Sequence, residues 1–385
     1  MRFLDQNQIC NWDAIIDNCD EIEGLDEKQK TLVKEAFSFL KNEFGENFLF
    51  NQGKEAIHPF FDLLINHVSS TRLWFVDLVE ALQKVKTCEN YNELLKRLKN
   101  PKLFNEAKSV LDIAIKFLLS DLQIEFDCEV LVDDRMKKPD IRIINPDTRE
   151  TFYCEVSISN KSDIQEIAEM TEITLFNATF VSGQFLEIAG RIEKTLTSEE
   201  LQIYAIKVNQ FANNVAKEIG FGELIINGVL TLGLSTKEKK SLLEEWAARN
   251  NCVVGSFDGP PFNSNELQRM REKIFKEQKQ LPKDVANLIM VYDTDFFYGI
   301  NNMIEVIDVL EKFVYKHNHV LALIIKGGYT GQIKPILIMR EFHMYLQKGR
   351  NELRAEQYLI IWNHFCKKPV SPATMTKIYR SIREY

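Results

Sequence analysis

No apolar run in this 385-residue chain approaches the roughly 20 residues that a membrane-spanning helix needs. The amino-terminal Met1-Arg2-Phe3-Leu4-Asp5-Gln6-Asn7 has no hydrophobic signal core, so a cytoplasmic protein without membrane contacts is expected. The seven cysteines, at 10, 19, 88, 128, 154, 252 and 366, are odd in number and form no Cys-x-x-Cys pair. That pattern excludes a disulfide framework and a cysteine-based zinc site from the first expectations. Among the six histidines, His317 and His319 lie two apart, but no second pair completes four ligands. A phosphate-cradling loop is missing as well: Gly53-Lys54-Glu55 lacks both the upstream glycine and the Ser or Thr that would hold magnesium. No Gly-x-Ser-x-Gly elbow occurs. Basic charge is in short supply, with 48 Lys and Arg against 56 Asp and Glu, a net of −8. A chain so balanced repels nucleic acid unless its cations gather on one face.

The composition is otherwise that of a globular chain, with 45% hydrophobic residues. Residues 1–100 read as a helical amino-terminal domain. Leu32, Phe37, Leu40 and Phe44 recur near helical spacing, and Trp74, Phe75, Leu78 and Leu82 do so in a second run. Asn90 to Asn100 reads as a short helix with Leu94, Leu95 and Leu98 inward. This region carries no catalytic pattern and suits packing or a protein partner, including a second copy of the chain.

From residue 101 the pattern changes. Residues 103–121 predict a helix with Val110, Leu111, Ala114, Phe117 and Leu118 on one stripe. Strand-like runs follow at Ile124–Val132, Asp140–Ile144 and Thr151–Ile158. Asn145-Pro146-Asp147 between the last two is a turn sequence and predicts an antiparallel hairpin. Helices are expected over 161–180, 198–219, 236–249 and 301–316. Further strands are expected at Leu224–Leu232, Val285–Tyr292, Val320–Lys326 and Pro335–Glu341. Gly327-Gly328-Tyr329-Thr330-Gly331 reads as a hairpin loop between the last two, and residues 255–283 as an insertion or mobile loop. The expectation is an α/β protein: a mixed sheet core flanked by helices over 101–345, behind the helical domain, with a basic helical segment over 346–385.

One stretch suggests chemistry. In Lys137–Lys161, Asp140 opens a strand and Glu155 lies on the next, fifteen positions on. If the strands pair across the turn, the two carboxylates meet. Paired carboxylates make a hard oxygen site suited to Mg2+ or Mn2+.

Pro139-Asp140 followed by Glu155-Val156-Ser157 resembles the signature of the PD-(D/E)XK nuclease superfamily, the restriction-endonuclease-like fold. The resemblance implies a core of helix, three strands, helix and strand. It implies metal-dependent hydrolysis of phosphodiester bonds, with DNA as substrate, in restriction, phage defence or mobile-element biology. Asp140 and Glu155 would be metal ligands, and Glu106 on the preceding helix would match an extra acid that some members carry. Ser157 stands where the family has lysine, so Lys161, or Lys138, would have to stand in for it. The alternative is a catalytically degenerate member that binds nucleic acid or protein. DNA contact is expected through the carboxyl-terminal Lys367, Lys368, Lys377, Arg380 and Arg383.

Overall fold

Residues 10–52, 58–65, 68–159, 163–261, 266–292, 303–329, 342–348 and 353–383 are described by a computed structural model. The chain is a mixed α/β protein whose backbone divides into two units, Met1–Ser159 with Glu266–Tyr385, and Asn160–Asn265.

The first unit opens with helices α1 (Trp12–Asp17), α2 (Glu27–Phe44), α3 (Phe48–Gln52), α4 (Phe60–Ile65), α5 (Ser69–Val85), α6 (Tyr91–Lys99) and α7 (Phe104–Leu119). Local chemistry sets their ends. Asp26 and Gln29 form a reciprocal capping box at the start of α2, and Gly45, at φ +97°, closes it. Arg72 of α5 is 1% exposed, yet its guanidinium donates to the Leu63 and Leu64 carbonyls at the end of α4, satisfying groups that helix ends leave open. The predicted stripe of α7 is buried at Val110, Leu111, Ala114 and Phe117. A single cluster of buried side chains runs from Trp12 through Phe75, Phe117 and Phe152 to Ile382, so no separate core ends at residue 100.

Seven strands form the sheet of this unit: β1 (Gln123–Phe126), β4 (Ile141–Ile144), β5 (Thr151–Ile158), β10 (Asn287–Tyr292), β11 (Val320–Tyr329), β13 (Leu353–Trp362) and β12 (Phe342–Lys348), in that spatial order. β1, β4 and β5 are antiparallel neighbours; β10 runs parallel to β5 and to β11. A small hairpin, β2 (Val130–Val132) and β3 (Arg135–Lys137), stands apart. Phe152, Cys154 and Val156 of β5 face the α7 side of the sheet. Tyr153 faces the other side, toward α11 (Glu266–Glu277) and α12 (Met303–Val314).

Several expectations change. The strand expected over Ile124–Val132 breaks at Asp127, whose φ of +44° turns the backbone, so that β1 and β2 belong to different sheets. Gly327 and Gly328 are not a loop: β11 continues through them, paired in register with Gln357 and Glu356 of β13. Residues 255–283 carry a strand, β9 (Phe257–Asp258), and helix α11. Residues 346–385, expected to be helical, begin in strands, and the only helix among those described there is α13 (Pro372–Arg383). The strand expected over Pro335–Glu341 lies outside the described residues.

α13 is seated on the β4–β5 turn by Glu150. Its carboxylate accepts from the Ser371 amide at 2.6 Å, the Ser371 hydroxyl at 2.6 Å and the Thr148 hydroxyl at 2.8 Å, and from the Thr374 hydroxyl. What burial it has opposes ionisation, but these donors outweigh that and hold the carboxyl at about 2.

The second unit builds its own sheet in the order β7 (Phe221–Ile226), β8 (Leu230–Ser235), β6 (Glu187–Ile192), β9. It is flanked by α8 (Asp163–Asn177), α9 (Ser198–Asn214) and α10 (Lys240–Arg249). The single strand expected over Leu224–Leu232 is a hairpin, turning at Gly228 with φ +69°. Gly233 lets α10 lie close on the sheet: a Cβ there would sit 2.5 Å from the Trp246 ring and 2.8 Å from Leu243. Gly233→Ala should therefore cost about 1–3 kcal/mol through forced repacking, read as a lower urea midpoint.

Candidate active site

The hairpin register brings the two sequence-predicted acids together. Ile141 pairs with Cys154, so Asp140, one residue before β4, comes opposite Glu155. The turn that sets this register is closed by the Asn145 amide on the Glu150 carbonyl (2.9 Å) and the Arg149 amide on the Asn145 carbonyl (2.8 Å). Asp140 is 5% exposed. Its Oδ2 accepts the Val156 N–H at 2.8 Å, completing the β5 ladder where β4 has not yet begun. Its own amide approaches Glu155 Oε2 at 3.4 Å.

A residue that sequence reasoning passed over organises the rest. Arg97, on α6, donates to Asp140 Oδ1 at 2.6 Å, to Asp127 Oδ1 at 3.0 Å and to Glu106 Oε1 at 2.9 Å. Glu106 thus joins Asp140 through a shared guanidinium. The left-handed turn at Asp127 delivers the third acid, and lets its amide reach the Asp140 carbonyl at 3.1 Å. Asp127 Oδ2 is buried and has no hydrogen-bond partner among the described residues. Arg97 precedes Asp140 by 43 positions, and its only local signal was a polar place in an otherwise apolar-faced helix.

The electrostatics follow from burial. Desolvation pushes the Asp140 carboxyl up to about 6, against the pull of Arg97 and the Val156 amide. Glu155 is raised well above the ordinary carboxylate range by burial, by Asp140 and by Glu277. Arg97 is raised despite its own desolvation, because Asp140 and Asp127 surround it. With Arg97 stabilising the Asp140 anion directly, Glu155 is the member of the pair that keeps its proton. A carboxyl that binds a proton more tightly folded than unfolded lends stability below its unfolded value, and loses it as pH rises through the folded one. Glu155→Gln mimics the protonated acid. It should leave stability unchanged near pH 4 and raise it by about 1–2 kcal/mol at pH 8, read by thermal unfolding at both pH values.

Beyond Glu155, the strand meets α11. The Ser157 hydroxyl donates to Glu277 Oε1 at 2.9 Å, and Lys273, one turn earlier on α11, donates its Nζ to the Ile158 carbonyl. Ser157 and Glu277 are separated by 120 positions, which leaves no local pattern to find. Lys138 pairs with Glu129 at 3.2 Å, both more than half exposed. Lys161 lies outside the described residues. On the α7 side of the sheet, Asp112 accepts from Tyr292 at 2.7 Å and Lys326 at 2.6 Å. Burial opposes its charge, but Lys326 and Lys116 hold the carboxyl well below the usual range.

Of the carboxyl-terminal cations, Lys367 and Lys368 are exposed beside Phe365, itself 65% exposed. Lys377 pairs with Asp147 at 2.6 Å. Among the described residues no group of three or more His, Cys, Asp or Glu side chains is arranged to hold a metal ion, and no helix is long and apolar enough to cross a membrane. No family model, no curated protein and no solved structure matches this chain.

Proposed function

We propose that the chain is a divalent-metal-dependent nuclease that hydrolyses phosphodiester bonds in DNA on a restriction-endonuclease-like core. The observation that carries this reading is the register that sets Asp140 opposite Glu155 on a hairpin between helix α7 and a strand parallel to β5. The order α7, β1, β4, β5, with β10 beside β5, supports the helix, three strands and later strand that the resemblance implies, whereas the helix that follows β5, α8, belongs to the second unit.

The donor set suits magnesium or manganese. Mg2+ takes one or two carboxylates and fills its remaining positions with water and substrate phosphate, so it needs no all-protein cage. Asp127 Oδ2, buried without a hydrogen-bond partner among the described residues, is a further oxygen open to a cation. Three carboxylates (106, 127 and 140) share the Arg97 guanidinium, and Glu155 adds a fourth acid beside Asp140. In this reading Asp140 and Glu155 hold the ion, with Glu106 as an outer acid. Such a cation, when bound, supplies an activated water and neutralises charge developing on the phosphate. Deprotonation of Glu155 must precede its binding, so affinity rises with pH. Arg97 holds Asp140 oriented, and its planar fork matches a phosphate as well as a carboxylate.

A second reading has its own support. Arg97 already satisfies Asp140 Oδ1, and Ser157, tied to Glu277, supplies no cation. This arrangement favours a degenerate module that binds DNA without cutting it.

Incubation with supercoiled plasmid and with single-stranded DNA, with and without Mn2+, separates the two. Metal-dependent nicking supports the nuclease. Salt-sensitive DNA binding without nicking supports the module, and neither binding nor nicking overturns both.

A further inference from the structure

The inserted unit presents a surface that hydrolysis does not require. Helix α8 reads Asp-Ile-Gln-Glu-Ile-Ala-Glu-Met-Thr-Glu-Ile-Thr-Leu-Phe-Asn. Its pattern repeats every three residues: acid, apolar, then a third residue. Gln165, Ala168 and Thr171, from the third position, are buried, as is Leu175. The apolar residues are not: Ile164 is 52% exposed, Ile167 48%, Met170 60% and Ile173 55%. A core-facing helix repeats its apolar residues every three to four positions on one face. A strict step of three instead falls behind the helix by about 60° each time, so the row runs diagonally over the outer surface as a ridge inclined at about 45°.

Alongside the apolar ridge runs a second one, Glu166, Glu169 and Glu172. The helix carries no lysine or arginine. Its acids repel: the Glu172 carboxyl is raised by burial and then by Glu169 and Asp258. The ridge ends at Phe176 and Phe180, both exposed, whose rings meet edge to face at 5.1 Å.

We propose that this ridge docks an amphipathic helix of a partner protein, with an apolar stripe edged by Lys or Arg. The argument is complementarity of shape and charge. A ridge of i, i+3 side chains fits the i, i+4 grooves of a second helix crossing at about 20°, and the acid row beside it selects a cationic edge on that helix. The same acid row repels nucleic acid and anionic lipid headgroups. A second copy would bring an identical acid row of its own.

The test uses the full-length chain and two fluorescein-labelled 18-residue helical peptides, one of Leu and Lys, one of Leu and Glu, with the same apolar face. The Leu/Lys peptide should bind at least tenfold more tightly, with affinity falling several-fold between 50 and 500 mM salt. Ile167→Asp with Ile173→Asp should weaken that binding at least tenfold. Glu166→Lys with Glu169→Lys should reverse the preference toward Leu/Glu. Both pairs are surface changes whose folding is checked by circular dichroism. Equal binding of the two peptides, or binding that neither variant alters, overturns the proposal. So does a sedimenting dimer, or adsorption to phosphatidylserine vesicles, that the Ile167→Asp/Ile173→Asp variant abolishes.

Discussion

On the nuclease reading proposed above, Asp140→Asn should reduce Mn2+-dependent plasmid nicking by a factor on the order of 10³, while leaving the fold intact. The size follows from the several kcal/mol of charge stabilisation a metal supplies at a phosphoryl centre, at roughly 1.4 kcal/mol per tenfold in rate. The specificity of the effect follows from geometry. Asparagine retains an acceptor for the Val156 N–H, so the β5 ladder and the hairpin register survive. What disappears is the anion. Glu155→Gln should be as severe, because it removes the acid whose deprotonation would complete the ion's ligands while retaining an acceptor for the Asp140 amide. The stability readings of the two substitutions should diverge. At pH 8 Glu155→Gln removes the cost of keeping a buried acid protonated, whereas Asp140→Asn deprives Arg97 of its closest counter-ion. Activity lost in both with stability moving in opposite directions would identify a paired site; activity retained in either would assign the cleavage to another site or protein.

Arg97→Ala should destabilise the protein by about 3–5 kcal/mol at pH 8, the usual cost of removing one partner from a buried ion pair. The substitution abandons three carboxylates at once: Asp127, Asp140 and Glu106. Asp140, already raised to about 6, rises further without the guanidinium and protonates, so the loss should shrink toward pH 5. Urea titration at the two pH values reads this directly. The same variant discriminates between the two proposed functions. If the acids form a metal site, millimolar Mn2+ should restore stability to Arg97→Ala, since a ligand bound only by the native state stabilises it in proportion to the logarithm of its concentration. If Arg97 is the permanent counter-ion of a degenerate site, Mn2+ should recover nothing.

Local chemistry made the hairpin legible. Asn145-Pro146-Asp147 is a turn wherever it falls, and the apolar alternation on either side left one register that buries Ile141, Ile143, Phe152 and Cys154. Asp140 and Glu155 come opposite each other as a consequence. Arg97 and Glu277 were not legible, because their contacts span 43 and 120 positions, too far apart in sequence for any local pattern to join them. Asp127 hid for another reason: aspartate tolerates the left-handed region at modest cost, so a strand-like run can turn there without a glycine to announce it. Asn227-Gly228, by contrast, is a strong short hairpin signal, and the single strand expected across it undervalued that pair. Gly327 and Gly328 misled in the opposite direction, since two glycines read as a turn although pairing to β13 carries the strand through them.

β5 finds its parallel neighbour only after the chain has passed through the whole of Asn160–Asn265, so Glu155 aligns with Ile289 across 134 positions. Closing so long a span costs entropy before any strand pairing repays it. An intervening segment that collapses on its own first shortens the effective loop. Refolding should therefore proceed in stages, with Trp246 reporting an early phase. The acidic pair can form with the β4–β5 hairpin, but Glu277 and β10 can join it only in a later and slower step.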